Sequence, residues 1–354
     1  MRAVVSLVAG IAVLGILASG PVFAQGSAGC NRACLEGFVD RYLDALVRHD
    51  PSAVPLARNA RYTENGQRLA IGDGLWRSMK ATGTYRLFVS DVEAGQVAFI
   101  GTIHEQHADP AQSSPALIAL RLKIARNEIT EAELQIARSV AAAPGASAVQ
   151  ASAAQRVEAL GKPHPLFTQT IPSNERMSRT DLIETANMYF TGMQQNDGKG
   201  EYPFADDCNR IENGMQTTNR PTPAGETRPD PATASNYSAQ WSCREQFESG
   251  LLRFVSRIRD RRFVAVDQER GLVFSFVFFD HFAGDTRNFT TPNGRAVTAG
   301  PAQPWTWYIA ELFRVENGKL RQIEAVLERV PYGMTSGWST WEDGMSDRAQ
   351  DVTH

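Results

Sequence analysis

Apolar positions recur with a helical period near the start of the chain and again half-way along it. Leu35, Phe38, Val39, Tyr42, Leu43 and Leu46 fall at i, i+3, i+4, i+7, i+8 and i+11, which predicts one buried face of an amphipathic helix ending near His49-Asp50-Pro51. Leu182, Ala186, Tyr189, Phe190 and Met193 repeat that face, with Tyr42 and Asp50 matching Tyr189 and Asp197 at an offset of 147. Each helix leads through a proline, Pro55 or Pro203, to a Glu-Asn-Gly turn. Residues 61–67 read R-Y-T-E-N-G-Q and residues 209–216 read N-R-I-E-N-G-M-Q, an offset of 148 for the shared Glu-Asn-Gly. Self-similarity on both sides of the turn predicts a tandem duplication of one small domain.

Beyond the turn the period changes from helical to strand-like. Asp91, Glu93, Gly95 and Val97 match Asp267, Glu269, Gly271 and Val273 at an offset of 176, each set leading into a long strand. Ala119, Lys123, Ile129, Glu133 and Arg138 match Ala310, Arg314, Leu320, Glu324 and Arg329 at an offset of 191, and Asn317-Gly318 predicts a two-residue hairpin between the last strands. The strands near residues 96–105 and 272–282 are apolar on both faces, so an antiparallel sheet must lie between its own helix and a second layer. The simplest second layer is the sheet of the other repeat. The expected domains are therefore residues 28–140 and 165–340, joined by an Ala-rich linker at 141–164. Polar insertions at 217–242 and 284–303 enlarge the second repeat, and a polar tail at 341–354 is expected to fray.

Composition changes this picture in three places. A net charge of −3 argues against a nucleic-acid partner, and the densest basic run, R-I-R-D-R-R at 257–262, reads as the solvated end of a helix. Residues 1–24 carry an early Arg2, an apolar run and a small-residue end at Val22-Phe23-Ala24, the pattern of a secretory leader; a secreted or periplasmic protein with no membrane anchor after cleavage is expected. Four cysteines in an exported chain predict pairing. Cys208 and Cys243 flank the first insertion, leaving Cys30 to Cys34, although three connectivities are open on spacing alone.

The order helix, connection, long strands, together with Tyr42-x-x-Ala45-Leu46-x-x-x-Asp50 followed by R-Y-T-E-N-G, resembles the nuclear transport factor 2-like superfamily in its SnoaL-like form. The resemblance covers both repeats. It implies an α+β fold of two tandem cone-shaped barrels, each a curved antiparallel sheet wrapped around helices, packed as an intrachain pseudo-dimer. It also implies a small hydrophobic, aromatic ligand and no cofactor. Members include cofactor-independent lyases, isomerases and dehydratases, with diarylpropane-lyase-like chemistry as a fold analogy; other members only bind ligands or assemble, so a non-catalytic binding protein is the alternative. The chain is expected to be a monomer containing the pseudo-dimer, or a homodimer.

Candidate chemistry gathers at the repeated turn and the strand ends. Glu64 and Glu212 can act as general acid or base beside an apolar cavity, or simply cap turn donors. Tyr62 and Arg210 precede them at equivalent places, a phenol in one copy and a guanidinium in the other. His104 and Asp280 are equivalent, and His281 follows Asp280 on the opposite strand face, so whichever faces the cavity is the candidate. Asn65, Asn213, Trp76, Arg244 and Trp307 are candidate ligand contacts, with Glu245 a partner for Arg244. His104-Glu105-Gln106-His107 has the wrong spacing for the H-E-x-x-H zinc motif, and no metal is expected. The second repeat, with its longer rim, is the better site.

Overall fold

The computed structural model describes residues 30–138 and 151–353. The leader expected at 1–24 and part of the expected linker lie outside them.

In the first half, helix α1 (Arg32–Val47) starts where the Asn31 side chain accepts from the Cys34 amide, and it buries the predicted stripe from Leu35 to Leu46. Strands β1 (Leu56–Glu64) and β2 (Gln67–Leu69), short helix α2 (Leu75–Ser78), then β3 (Met79–Asp91), β4 (Gln96–Gln106), β5 (Ser113–Ala125) and β6 (Glu128–Arg138) follow. A connecting helix, α3 (Ala153–Leu160), carries a Ser152/Gln155 capping box. The second half repeats the series: α4 (Arg179–Gln195), β7 (Phe204–Glu212), β8 (Met215–Gln216), α5 (Cys243–Glu248), β9 (Arg257–Asp267) and β10 (Leu272–His281). It continues with a small inserted hairpin of β11 (Asn288–Thr290) and β12 (Ala296–Thr298), then β13 (Trp305–Glu316) and β14 (Lys319–Val330). It closes with α6 (Trp341–Gly344) and β15 (Ala349–Asp351).

The two sheets have matching strand order, β2-β1-β6-β5-β4-β3 and β8-β7-β14-β13-β10-β9, with β15 added at the β9 edge. Both Glu-Asn-Gly turns close two-residue hairpins with positive φ at both central residues, Asn65 and Gly66 or Asn213 and Gly214, the geometry of a type I′ turn. The sheets are mixed, which corrects the antiparallel expectation: β1 runs parallel to β6, and β7 to β14. After the first hairpin the chain crosses to the far edge through α2, and three hairpins bring it back beside β1 running in the same direction.

Two hydrophobic clusters lie between a helix and its own sheet, and a third joins the halves, including Leu87, Ile100 and Leu117 from one sheet and Phe274, Phe276 and Leu312 from the other. This explains why the central strands are apolar on both faces. One pair of polar contacts across the join is reciprocal. Arg32 pairs with Asp267 at 2.6 Å, and Arg179, its equivalent, pairs with Asp91 at 2.6 Å, the equivalent of Asp267. Glu133 is buried with Arg262 (2.6 Å) and the Tyr308 hydroxyl (2.7 Å), while the Tyr85 hydroxyl donates to Glu324 at 2.7 Å.

Two expectations fail here. The basic run at 257–262 is strand β9, not a helix end, and most of it is buried. Its charges are met locally: Arg259 reaches Asp280 (2.8 Å), Arg262 reaches Glu133, and Arg261 donates to the side-chain oxygens of Asn187, Thr191 and Gln194. Asp260, with φ 50°, sits opposite a register irregularity in β10 and marks a bulge. Nor does the tail fray within the described residues: β15 pairs parallel with β9 and covers its edge, and Asp351 joins Arg179 at 2.9 Å.

Candidate functional site

Strand alternation sends Arg210 and Glu212 of β7, Phe279 and His281 of β10, Trp307, Ile309 and Glu311 of β13, and Ala325 and Leu327 of β14 toward helix α4. With Tyr189 and Met193 of α4, Leu252, Phe254 and Val255 after α5, and Tyr237 of the first insertion, they enclose a cavity of about 80 Å³. A larger open groove of about 920 Å³ lies outside it, between the end of α4 and the β11–β12 hairpin. Its solvent exposure offers no means of shifting an acid or base, so the enclosed space is the candidate site.

The floor of the cavity is polar. Arg210 is buried, and each of its three nitrogens holds a protein partner: Nε faces Glu212 (3.0 Å) and the Thr217 hydroxyl (3.1 Å), Nη1 donates to the Tyr189 hydroxyl (3.1 Å), and Nη2 donates to Gln246 (2.6 Å). Gln246 in turn donates to the carbonyls of Thr217 and Ser238, tying the insertion to the floor. Glu311 is 2% exposed, and its Oε2 is buried with no hydrogen-bond partner. Burial, reinforced by the Glu212 charge and opposed by Arg210 and by a Tyr189 hydrogen bond, pushes its carboxyl up to about 8, which favours the protonated form at neutral pH. His281 is pushed the other way by burial, down to about 4, and stays neutral. It stacks on Trp305 at 4.0 Å, and its Nδ1 also lacks a partner.

Of the sequence candidates, the structure brings together Glu212, Arg210, His281 and Trp307. Asp280 points to the opposite face and is neutralised by Arg257, Arg259 and the Thr306 hydroxyl, so it takes no part. In the first half, Glu64 is fully engaged, accepting from the Tyr62 hydroxyl (3.0 Å), the Leu75 amide (2.7 Å) and Arg138 (3.0 Å). His104 faces Ser113 (3.1 Å), while its neighbour Glu105 joins Ser78 and Arg138, so His104 and Glu64 do not form one site. Trp76 is a core residue packed edge-on against Tyr42. Asn65 and Asn213 are turn clamps, each bonding both the amide and the carbonyl of one residue on the adjacent strand, Ile136 or Leu327. Arg244 lies outside the cavity and donates to the carbonyls of Tyr202 and Phe204. Glu245 pairs with Arg228 instead, because it is drawn into the cap of α5.

Periodicity alone does not flag Glu311. One signal was present: it is a lone carboxylate in the apolar run Tyr308-Ile309-Ala310-Glu311-Leu312-Phe313, and the offset of 191 places it over Leu120. Both disulfides form, Cys30–Cys34 and Cys208–Cys243, and the second anchors α5, which carries Gln246. Among the described residues no cluster of three or more His, Cys, Asp or Glu could hold a metal, and no helix is long and apolar enough to cross a membrane.

A family model described as a domain of unknown function, DUF8021, matches residues 30–136 and again 175–327. The chain belongs to the DUF8021 family. The two matched segments coincide with the two sheets, so the DUF8021 unit is present in tandem, and the cavity lies wholly in the second. No curated protein matches. Among solved structures, AclR from Streptomyces galilaeus matches at 13% identity over 30% of this chain and 80% of its own, with a TM-score of 0.23. A de novo designed protein with a curved β-sheet matches at 15% identity over 43% of this chain and 88% of its own, also at 0.23.

Proposed function

We propose that the second DUF8021 unit is a cofactor-independent acid/base enzyme acting on a small, hydrophobic, aromatic molecule, in a lyase, isomerase or dehydratase type of reaction. The observation that carries this reading is Glu311: a buried carboxyl with a free oxygen, in a cavity that also contains an Arg210–Glu212 ion pair. Carboxyls held in unlike environments are suited to opposite proton-transfer roles. Glu311 would give its proton to an oxygen of the substrate, and Glu212 would take one from carbon. The substrate C–H pair becomes a C=C bond to the carbonyl carbon while the C=O π pair moves onto the oxygen that takes Glu311's proton; Glu212 then returns its proton to another carbon of the enol as the hydroxyl proton goes back to Glu311, completing an isomerisation.

The same proposal assigns each unit a cone-shaped, nuclear transport factor 2-like fold, with the halves packed as a pseudo-dimer. The reciprocal pairs Arg32–Asp267 and Arg179–Asp91 support the pseudo-dimer, since a contact and its mirror are the mark of an isologous join. Two disulfides support an exported protein. A screen of small aromatic and cyclic carbonyl compounds by ligand-induced thermal shift would supply hits. Each hit would then be followed by NMR for exchange of carbon-bound hydrogen with D2O. Exchange catalysed by wild type and lost in Glu311→Gln is the expected result; a hit that is bound but never exchanged or converted returns the protein to the non-catalytic binding class.

A further inference from the structure

We propose that Glu324 is a proton-controlled latch between the two halves: while it carries a proton the join is closed, and when the proton leaves, β14 and β3 loosen from each other. Nothing in this depends on the pocket proposed above.

One duplicated position is treated differently in the two copies. Glu133 and Glu324 are equivalent (offset 191), and both are buried in the join. Glu133 meets two guanidinium groups, Arg262 at 2.6 Å and Arg121 at 3.3 Å, and accepts from the Tyr308 hydroxyl; these partners outweigh burial and hold it ionised. Glu324 meets only the Tyr85 hydroxyl, which lies 2.7 and 2.8 Å from its two oxygens. Arg86, the equivalent of Arg262 at offset 176, does not complete a second pair. It turns to the α1 side, where it reaches Asp40 and lies over Phe88 and Phe99.

A carboxylate that faces one hydroxyl and no cation gives up its hydration without replacement, so burial favours the neutral acid. Burial, opposed by the Tyr85 bond, raises Glu324 from 4.5 to about 7. Its register partners are apolar, Leu312 on β13 and Ile211 on β7. The charged groups described on the elements around it are spent elsewhere. On β3, Lys80 donates to the carbonyls of Pro110 and Gln112, and Asp91 pairs with Arg179. On α3, Arg156 donates to the Asn213 carbonyl and Glu158 accepts from Thr84 and Thr102. Arg121 of β5 pairs with Glu131 and Glu133 of β6, and Arg314 of β13 donates to the carbonyls of Leu166 and Gln169. On β7, Arg210 faces Glu212 and Asp207 pairs with Arg321. Glu328, further along β14, is partly buried and feels the Arg138 charge. The closed join therefore holds a proton that the opened join releases. Closure is fully supported below about 4.5 and weakens as pH rises through about 7. The same strand turns Ala325 and Leu327 into the cavity of the second half, which puts the latch one residue from the candidate site.

The test is hydrogen–deuterium exchange of the full oxidised chain, read by mass spectrometry from about pH 5 to about pH 9 and corrected for intrinsic rates. Exchange in β3 and β14 should rise about tenfold or more across the series. Glu324→Gln, which stays uncharged, should abolish the rise. Tyr85→Phe, which removes the one donor, should move its midpoint to higher pH, a shift that a packing defect does not produce. Glu311→Gln and Glu328→Gln remove the other two carboxyls raised by burial and should leave the rise in place. No rise in wild type, a rise that survives Glu324→Gln, or a rise removed by Glu311→Gln or Glu328→Gln overturns the inference. If Glu324→Gln does not fold, an unmoved midpoint in Tyr85→Phe overturns it, and a midpoint moved upward upholds it.

Discussion

The two halves share strand order, turn geometry and a helix over the sheet, yet the space between helix and sheet is packed with side chains in the first and holds a cavity in the second; the first half's own opening, about 510 Å³, is a groove at the strand ends around Glu105 and Arg138. At equivalent places Trp76 becomes Leu252 (offset 176), Tyr62 becomes Arg210 (148), and Leu120 and Leu134 become Glu311 and Ala325 (191). In the first half Tyr42, Tyr62, Trp76, Leu120 and Leu134 pack into one buried cluster, and the carboxylate that Tyr62 meets, Glu64, has both oxygens engaged. In the second half, smaller or polar replacements open a cavity and leave a carboxyl oxygen without a partner. A duplicated fold can thus carry a packed core and a cavity on one backbone plan, because the backbone hydrogen bonds are indifferent to what fills the space above the sheet.

The largest expected effect falls on the second half alone. Glu311→Gln should lower turnover of any identified substrate about 10²- to 10⁴-fold, the usual worth of a general acid or base, whereas Glu64→Gln in the first half should leave turnover near wild type. Equal loss from both substitutions in steady-state kinetics would erase the division of labour. Next in size, Trp76→Ala should cost about 3–5 kcal/mol in urea unfolding, since it empties a filled core, while Leu252→Ala beside an existing cavity should cost less. A larger cost for Leu252→Ala would contradict the filled-versus-hollow contrast.

A pH series sharpens the contrast further. The Glu311 carboxyl is raised from an ordinary 4.5 to about 8 in the folded chain, so the folded state holds a proton that the unfolded chain releases. Stability contributed by this group is full below about 4.5 and is lost as pH rises toward about 8, at up to about 1.4 kcal/mol per pH unit. Glu311→Gln should flatten the fall in melting temperature across that window, and an unchanged slope would deny the shift. The smallest effect should be common to both halves: Asn65→Ala and Asn213→Ala each remove a left-handed turn residue and two hydrogen bonds, and each should cost about 1–2 kcal/mol in denaturant unfolding. Strongly unequal costs would mean that one of the two turns does more than hold a hairpin.

Much of the frame could be read directly. The helical stripe, the Asn-Gly hairpins, the doubly apolar strands and the pairing of all four cysteines, though not which with which, each depend on neighbours in sequence or on a simple count, and each appears in the structure. Other features could not be read that way. Residues 257–262 looked solvated because their partners, Glu133, Asp280 and Asn187, lie on other elements, and the β15 edge cover comes from the far end of the described residues.

By itself, the order of residues determined the duplication, the two long helices, the central strands and the Asn-Gly turns, because periodicity, capping and turn chemistry act over a few residues. Only the tertiary structure decided which half is hollow, which of Asp280 and His281 faces inward, and that Glu311 is left unpaired. Those outcomes depend on volumes and partners summed across β7, β10, β13, α4 and the insertion, and no local pattern contains that sum.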